Sequence, residues 1–249
     1  MIKIILHGCN GKMGKILQRL IDEDVDLEVI AGIDSNSDGS NPIALYRTPK
    51  DCGHKADVLI DFSHHSAIAE LLEYCVKSKT PVIIATTGLI EQERALISAA
   101  STQIPVFHSA NMSLGINLIA KALKELVPSL ETDFNIEIIE KHHNKKTDSP
   151  SGTALLLAET INEACKVKKE FIYGRHSNSD DCKITDLGIH AVRGGSIPGE
   201  HTILFAGPDE LIEITHTALS KEIFARGAIE AAKFLVSKGK GLYSMKDLI

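Results

Sequence analysis

The sequence predicts an α/β protein in which a parallel sheet covered by helices is followed by a second, α+β domain. Three observations support this prediction. Short runs rich in Val and Ile alternate with helical patterns over the first 111 residues, which is typical of a parallel sheet with helices on both faces. A glycine-rich turn follows the first run, and after Asn111 the alternation changes to a long helix and period-2 strands.

The first domain begins with a predicted strand at residues 2–8, IKIILHG, and a helix at KMGKILQRLID, where Met13, Ile16, Leu17 and Leu20 recur at helical spacing. Two further helical patterns are SAIAELLEYCVKS and EQERALISAAS. The remaining predicted strands are LEVIAGID (27–34), ADVLIDF (56–62), PVIIATTG (81–88) and IPVFHSAN (104–111).

The second domain is predicted to begin near residue 113 with the helix MSLGINLIAKALKELV. Four strands follow, at FNIEIIEKHH, KITDLGIHAVRGG, HTILFAG and ELIEITHTAL, and GPDE between the last two is a hairpin signal. The final stretch, KEIFARGAIEAAKFLVSKGKG, has a helical pattern ended by glycine and could pack on either domain.

The composition is that of an ordinary soluble globular protein, with 249 residues, 43% hydrophobic residues and a formal net charge of −6. This charge disfavours nucleic acid as a partner. The start, MIKIILHGCNGKMG, has no basic leader or cleavage site, and no apolar run approaches the roughly 20 residues of a membrane span. Five scattered cysteines without a CxxC pair indicate a reducing, cytoplasmic location.

The glycine turn, GCNGKMG, is a variant of the dinucleotide-binding fingerprint and makes the first domain Rossmann-like. Gly8 would permit the tight turn, Gly11 the close approach of phosphates, and Gly14 the close packing of helix on strand. A tight turn without a ligand is the alternative. The cofactor contacts predicted on this turn are Gly8, Cys9, Asn10, Gly11, Lys12 and Met13.

Asp34 ends the second predicted strand, where a carboxylate usually accepts hydrogen bonds from the adenine ribose. No arginine stands beside it to compensate a 2′-phosphate, so NADH is the preferred cofactor and NADPH the alternative. Asp34 could instead be only a turn acid in the run DSNSDGSN. The later strand ends, ATTG and SANM, share the carboxyl edge of a parallel sheet, although plain loop chemistry would also explain them. The cofactor contacts predicted there are Ala85, Thr86, Thr87, Ser109, Ala110, Asn111 and Met112.

The segment EKHHNKKTDSPSGTA, residues 140–154, concentrates hydrogen-bond donors between a strand and a helix. Asp148, Ser149 or Ser151 could cap the helix, with Pro150 in its first turn. Free N–H groups of Ser151, Gly152 and Thr153, with the Thr153 hydroxyl and Lys146, predict a carboxylate site. The imidazoles of His142 and His143 could transfer a proton near neutral pH. A His pair could also bind metal, but no partner lies at ligand spacing and lysines surround it, so we predict no metal.

The stretch EIIEKHHNKKTDSPSGTA resembles the signature of the dihydrodipicolinate reductase family. The resemblance extends to GCNGKMG, DFS (61–63), ATTG, SANMSLGIN, RGGSIPGEHTILFAGPDE (193–210) and THTALSKEIFARGAIEAAKFL. The positions that match the signature are Glu137, Glu140, His142, Lys146, Asp148, Pro150, Ser151, Gly152, Thr153 and Ala154.

The resemblance implies a nucleotide-binding domain at residues 1–112 plus 220–249, and a substrate-binding domain at 113–219 that also builds a homotetramer. It implies NAD(P)H-dependent reduction of 4-hydroxy-tetrahydrodipicolinate, a small dicarboxylate, to tetrahydrodipicolinate in diaminopimelate and lysine biosynthesis. Hydride would go to C4 with His142 as the acid and Lys146 assisting. His143, Ser151, Gly152 and Thr153 would hold the substrate carboxylates. Lys12 and Ser35 stand where many members have arginine, which bears on cofactor choice.

Two other functions remain open from the sequence. Another two-domain Rossmann oxidoreductase would share the first domain, but a single carboxylate or a sugar would not need so many donors in the loop. A non-catalytic NAD-binding regulator would bind cofactor without turnover and would be indifferent to the loss of His142 or Lys146.

Overall fold

The computed structural model describes residues 1–36, 43–176 and 182–249 of the chain. Residues 37–41 of the run DSNSDGSN lie outside the described residues. The chain divides into two compact units, one formed by Met1–Leu114 with Glu222–Ile249 and the other by Gly115–Lys221.

The regular elements alternate strand and helix in the amino-terminal half. In chain order they are β1 (Ile2–His7), α1 (Lys12–Asp22), β2 (Leu27–Ile33), β3 (Leu45–Tyr46), β4 (Val58–Asp61), α2 (Ile68–Ser78), β5 (Val82–Ile84), α3 (Glu91–Ser101), β6 (Pro105–His108), α4 (Leu114–Leu130), β7 (Asn135–His142), α5 (Gly152–Ala164), β8 (Glu170–Tyr173), β9 (Asp186–Arg193), β10 (Glu200–Ala206), β11 (Leu211–Thr217), α6 (Glu222–Leu235), β12 (Gly241–Tyr243) and α7 (Met245–Leu248). Short 3₁₀ turns lie at Pro49–Asp51 and His65–Ala67.

The first unit contains a seven-stranded sheet with the order β12-β6-β5-β4-β1-β2-β3, in which every neighbouring pair is parallel. The predicted Rossmann-like parallel sheet is therefore confirmed. Because all strands run the same way, the loops after β1, β2, β4, β5 and β6 emerge at one edge. The strand order reverses between β1 and β4, and open α/β sheets bind ligands at such a crevice.

Both faces of this sheet are buried, which explains why its strands are nearly continuous apolar runs. In β1, Ile4 and Leu6 belong to a cluster with apolar residues of α1 and α6. Ile5, between them, belongs to a second cluster with apolar residues of α2 and α3. Successive side chains of a strand point to opposite faces, so one strand serves two helical layers.

Two strands of this sheet were not predicted from the sequence. β3 has two residues and β12 has three, too few to show a period. The predicted final helix is also too long, because α6 ends at Leu235 and Gly241 begins β12 beside β6. α6 packs closely within the first unit, since a Cβ added at Gly227 would overlap the Met112 carbonyl oxygen.

The second unit contains a five-stranded mixed sheet with the order β11-β10-β7-β9-β8. β7 is antiparallel to β10 and parallel to β9. The predicted hairpin is present, because β10 and β11 pair antiparallel around the GPDE turn. β8 was not predicted, and β9 begins three residues later than the predicted strand.

One face of the mixed sheet carries the core of the second unit. Ile136 and Ile138 of β7 pack in a cluster with apolar residues of α4, α5, β9 and β10. Glu137 and Ile139 alternate with them and are half-buried on the opposite face. No helix among the described residues is long and apolar enough to cross a membrane.

Candidate active site

The glycine turn is shaped by close backbone contacts at the carboxyl edge of the parallel sheet. Gly8 has a φ of +79°, and a Cβ there would lie 2.7 Å from the Phe62 carbonyl oxygen. A Cβ at Gly14 would overlap the backbone of Gly8 and Cys9. A Cβ would therefore clash at both positions, and at Gly8 the positive φ also favours glycine.

The amino terminus of α1 fits the pyrophosphate of a dinucleotide. Gly11 is the N-cap of this helix, and no side chain caps it. An uncapped helix start offers N–H groups and the positive end of the helix dipole to an anion. Lys12 is exposed and Met13 is half-buried against the core of the first unit. Cys9 is fully buried, and burial raises the pKa of its thiol to about 11, so only its backbone can contribute to a nucleotide site.

Asp34 lies beside the glycine turn at the end of β2. Its Oδ2 accepts the backbone N–H of Asn10 at 2.9 Å, and its Oδ1 accepts that of Asn36 at 2.9 Å. The Asn10 side-chain amide also donates to the Asn36 carbonyl. An ionised carboxylate has about four acceptor positions, and the contacts among the described residues 1–36 and 43–176 use two of them, so the others can accept ribose hydroxyls.

The loop after β4 also borders the crevice, and sequence reasoning did not include it among the cofactor contacts. Asp61, which is fully buried, accepts the Thr86 hydroxyl at 2.7 Å and the Ser63 N–H at 3.1 Å, and its Oδ1 lies 2.9 Å from Nδ1 of His7. One carboxylate thus ties together the ends of β1, β4 and β5. The signal was available, because a strand that neighbours β1 at the reversal of strand order must contribute its loop to the crevice.

The segments ATTG and SANM lie at the same edge, as predicted, because β5 and β6 are parallel neighbours. Thr87 and Ala110 are exposed and Ser109 is half-buried, so these three can face a ligand. The other four predicted contacts are buried, namely Ala85, Thr86, Asn111 and Met112. Thr86 is engaged with Asp61, and Asn111 Oδ1 accepts the Ser113 N–H at 2.8 Å.

A second group of polar residues surrounds the end of β7 in the second unit. Glu140 and His142 lie on the core face of the strand, with 0% and 8% of their surface exposed. Nδ1 of His142 is 2.6 Å from Glu140 Oε2. Because an ionised carboxylate only accepts hydrogen bonds, Nδ1 carries a proton and Nε2 is the nitrogen that can exchange one.

Glu140 also accepts hydrogen bonds from two other elements, β9 and the start of α5. Arg193 donates from Nη1 to Oε2 at 2.7 Å and from Nη2 to Oε1 at 2.8 Å, and the Ser151 N–H donates to Oε1 at 2.9 Å. Burial raises the pKa of Glu140, but the hydrogen bonds from Arg193, His142 and Ser151 outweigh it and hold the pKa below its ordinary value. The Ser151 N–H was predicted to be free for a substrate, and that prediction is wrong because Glu140 occupies it.

The start of α5 is capped by Ser151, one of the three predicted caps. Its hydroxyl accepts the Ala154 N–H at 3.1 Å, and the helix begins at Gly152. Pro150 therefore precedes the helix instead of lying in its first turn. The Ser151 hydroxyl is also 2.8 Å from Nε2 of His201, and only 2% of Ser151 is exposed.

Lys146 is paired with a carboxylate of its own loop. Its Nζ lies 2.7 and 2.8 Å from the two carboxylate oxygens of Asp148. Burial raises the pKa of Asp148, but Lys146 and the N–H groups of Asp148 and Gly152 have the larger combined effect and lower it. The Asp148 carboxylate thus lies against the donors that were predicted to hold a substrate carboxylate.

The other predicted substrate contacts surround the same loop. Gly152 is exposed and Thr153 is half-buried at the start of α5. Nδ1 of His143 is buried and has no hydrogen-bond partner among the described residues. In the described parts of the chain, no group of three or more His, Cys, Asp or Glu side chains is arranged to hold a metal ion.

His201 of β10 is a member of this group that sequence reasoning missed. Its ring meets that of His142 edge to face, with centroids 5.1 Å apart. Burial lowers the pKa of His201 to about 4, and the positive charges of His142, His216 and Lys146 add to this while Glu140 opposes it. His201 is therefore a neutral partner of Ser151 at neutral pH.

Comparisons with known proteins agree in both halves of the chain. The family model described as dihydrodipicolinate reductase, N-terminus, matches residues 2–112, and that described as dihydrodipicolinate reductase, C-terminus, matches residues 115–249. The chain is 51% identical over 249 residues to a 4-hydroxy-tetrahydrodipicolinate reductase of Caldanaerobacter subterraneus, covering 100% of this chain and 98% of the relative. It is 47% identical to the enzyme of the same name from Clostridium tetani, covering 100% and 97%.

A solved structure shares the fold over the full length. It is a dipicolinate-bound dihydrodipicolinate reductase from Paenisporosarcina sp. TG-14, which matches with a TM-score of 0.82 and 23% identity and covers 100% of both chains. At this level of identity the likeness concerns the fold alone.

Proposed function

The chain belongs to the dihydrodipicolinate reductase family, and from that premise we propose how its residues carry out the reduction. Membership makes it an oxidoreductase, a 4-hydroxy-tetrahydrodipicolinate reductase of the lysine and diaminopimelate pathway that uses a pyridine nucleotide. The proposal concerns the proton donor, the substrate contacts, the choice of cofactor and the assembly.

His142 is the proton donor of the proposed mechanism. The 4-hydroxyl group of the cyclic substrate leaves as water, which produces a conjugated system, and the reduced nicotinamide, when bound, would supply hydride to its C4. The addition builds electron density in a conjugated system, and His142 Nε2 would deliver a proton at the neighbouring carbon. The single observation that supports this role best is the 2.6 Å contact between Nδ1 and Glu140, which leaves Nε2 as the exchangeable position.

Lys146 and the start of α5 form the proposed site for a substrate carboxylate. The pairing of Lys146 with Asp148 supports this assignment, because the loop already holds one carboxylate against these donors. A substrate carboxylate would replace Asp148 at Lys146, while Gly152, Thr153 and His143 supply further donors. Ser151 would act through its backbone position and its cap, since its hydroxyl is engaged with Ala154 and His201. Dipicolinate, which is bound to the Paenisporosarcina protein, is a dicarboxylate, the class of ligand that these donors would take.

NADH is the proposed preferred cofactor, with NADPH as the alternative. Asp34 presents a carboxylate beside Asn10, where a ribose 2′-hydroxyl would donate and a 2′-phosphate would be repelled. Residues 35–46 contain no Lys or Arg that could compensate a phosphate. The glycine turn and the uncapped start of α1 would hold the pyrophosphate.

The proposed assembly is a homotetramer built through the second unit, in the cytoplasm. Its support is the family resemblance, together with the face of the mixed sheet opposite to its helices. That face carries half-buried residues such as Glu137 and Ile139. The second unit, residues 115–221, would thus serve both substrate binding and assembly, and the first unit would bind the nucleotide.

The test of the proton donor is NADH oxidation, followed by absorbance, with substrate generated in place from pyruvate and aspartate semialdehyde by the preceding synthase. His142→Gln should lower kcat on the order of 10²-fold or more. The matched control is His190→Gln, because His190 also lies 2.6 Å from a glutamate of β7, Glu137, but on the other face of the sheet. Unchanged turnover in His142→Gln would remove this residue from the role of acid. Parallel assays with NADPH test the proposed preference for NADH. An equal or higher kcat/KM with NADPH would refute that preference.

The test of the anion site is inhibition by pyridine-2,6-dicarboxylate. Lys146→Ala should reduce turnover and raise the inhibition constant, because the ammonium is lost from the site. Lys145→Ala, an exposed lysine of the same loop, is the control and should bind the inhibitor as the wild type does. Undiminished inhibition of Lys146→Ala would place the anion site elsewhere. Cofactor binding without any turnover in the wild type would favour the regulator or a different dehydrogenase.

A further inference from the structure

The buried carboxylate behind His142 takes no direct part in the proposed transfer of hydride and proton. Glu140 is fully buried, at a strand position where the alternation of β7 places Ile136 and Ile138. Burying an ion is costly unless it is fully paired, so its retention in the core requires compensation. Four donor contacts supply it, two from Arg193 and one each from His142 and the Ser151 N–H.

We propose that Glu140 is the positioning residue of the reaction, which holds the His142 ring with Nε2 as the proton-exchanging atom, and that Arg193 keeps Glu140 ionised for this task. The proposal rests on the function proposed above, because it matters for turnover only if His142 is the proton donor.

Three neighbours restrict the His142 ring. Nδ1 is held at 2.6 Å by Glu140, and the ring packs edge to face against His201. Gly199 also borders the ring, since a Cβ there would come within 3.1 Å of Nε2. A side chain at residue 199 would therefore press on the nitrogen that exchanges the proton.

Arg193 compensates the buried carboxylate with a positive charge. Its guanidinium donates to both carboxylate oxygens, at 2.7 and 2.8 Å, so the buried Glu140 can accept the Nδ1–H of His142 as a paired ion. The charged and titratable groups around the ring are Glu140 on the same strand, Arg193 from β9, His201 from β10 and Lys146 from the loop.

The same contacts also connect the proton donor to the start of α5. Glu140 Oε1 accepts the Ser151 N–H, and Arg193 Nη2 donates to the Asp148 carbonyl at 2.7 Å. The Glu140–Arg193 pair therefore fixes the distance between His142 and the loop that carries Lys146. Loss of the pair should disturb both the ring and the loop.

The test compares Glu140→Gln with Glu137→Gln. Glu137 is a matched control, because it contacts His190 at 2.6 Å and Arg175 at 2.7 Å on the opposite face of the same strand. Glu140→Gln should lower kcat on the order of 10-fold to 100-fold with the KM for NADH unchanged, and Glu137→Gln should not.

A second readout does not depend on turnover. Nitrogen NMR of ring-labelled histidine in the resting full-length protein should show His142 as the Nδ1–H tautomer, assigned by its loss in His142→Gln. In Glu140→Gln the two tautomers of His142 should mix, because the acceptor that holds the Nδ1 proton is lost. If His142 keeps its tautomer in Glu140→Gln, the positioning role is refuted, whatever happens to kcat.

The outcomes separate the two proposals. A wild type that does not turn over contradicts the proposed function, while the NMR result still judges the positioning of His142. If Glu140→Gln does not fold because Arg193 is left unpaired, Glu140→Gln with Arg193→Gln removes both charges and serves in both assays. Wild-type kcat and a wild-type His142 tautomer in that folded double variant would overturn the inference.

Discussion

The lowered pKa of His201 predicts how its contribution to the free energy of unfolding depends on pH. Its pKa falls from 6.5 to about 4 in the folded protein, because burial and nearby positive charge disfavour the imidazolium. The unfolded chain therefore binds a proton between pH 6.5 and pH 4 that the folded chain does not. Stability must rise with pH across this window and fall as the solution is acidified through it.

The magnitude follows from the size of the shift. At about 1.4 kcal/mol for each pKa unit, the full difference is on the order of 3 kcal/mol, of which about 2 kcal/mol is lost between pH 7 and pH 4.5. His201→Gln keeps a polar group opposite the Ser151 hydroxyl but cannot titrate. The variant should lose less stability than the wild type over the same pH interval, by about 2 kcal/mol.

The assay is urea unfolding followed by far-ultraviolet circular dichroism, since the chain has no Trp. Thr202→Val is the control, because Thr202 is the next residue of β10 and its hydroxyl pairs with Thr215 at 3.0 Å without a titratable group. Its curve should run parallel to that of the wild type between pH 7 and pH 4.5. If the curve of His201→Gln is also parallel to that of the wild type, His201 is not held neutral, and its lowered pKa is refuted as a source of the pH dependence.

Two further predictions concern a close contact and the ion pair of the loop. Gly227→Ala should lower the free energy of unfolding by about 1–3 kcal/mol, because its Cβ would overlap the Met112 carbonyl oxygen. Gly239→Ala is the control and should not lower it, since no neighbouring atom lies within 4 Å of its Cβ. Equal urea midpoints for the two variants would contradict this prediction. Asp148→Asn should tighten binding of pyridine-2,6-dicarboxylate by about twofold to fivefold, measured by calorimetry, because Lys146 loses its competing partner. Weaker binding would mean that Asp148 instead orders the site.

The parallel sheet could be predicted because its signals are local. Each of its longer strands is an apolar run, and each loop at the carboxyl edge follows such a run directly in sequence. β3 and β12 could not be predicted, because two or three residues form a strand only by pairing with a distant one. Gly241 pairs with Pro105, which is far away in sequence, and no local pattern encodes that partner.

The contacts of the site also divide into local ones, which could be predicted from the sequence, and contacts between distant segments, which could not. His142, Lys146 and the cap at Ser151 are close in sequence, and their chemistry could be inferred from spacing. Arg193 and His201 come from other strands, brought to β7 by its pairing with β9 and β10. The N–H group of Ser151 was predicted to be free because its acceptor, Glu140, lies eleven residues earlier and reaches it only through the folded sheet.

One signal in β7 was nevertheless present in the sequence. The strand alternates Ile136, Ile138, Glu140 and His142 on its core face, so an acid and an imidazole occupy positions where the pattern calls for apolar residues. Local conflicts of this kind concentrate at functional sites, because they persist only where other residues compensate them. Here the compensation is Arg193, which lies opposite His142 in the register of β7 and β9. An acid and an imidazole on the core face of one strand would therefore have drawn attention to Glu140 from the sequence alone, whereas its partner Arg193 became known only from the pairing of β7 with β9.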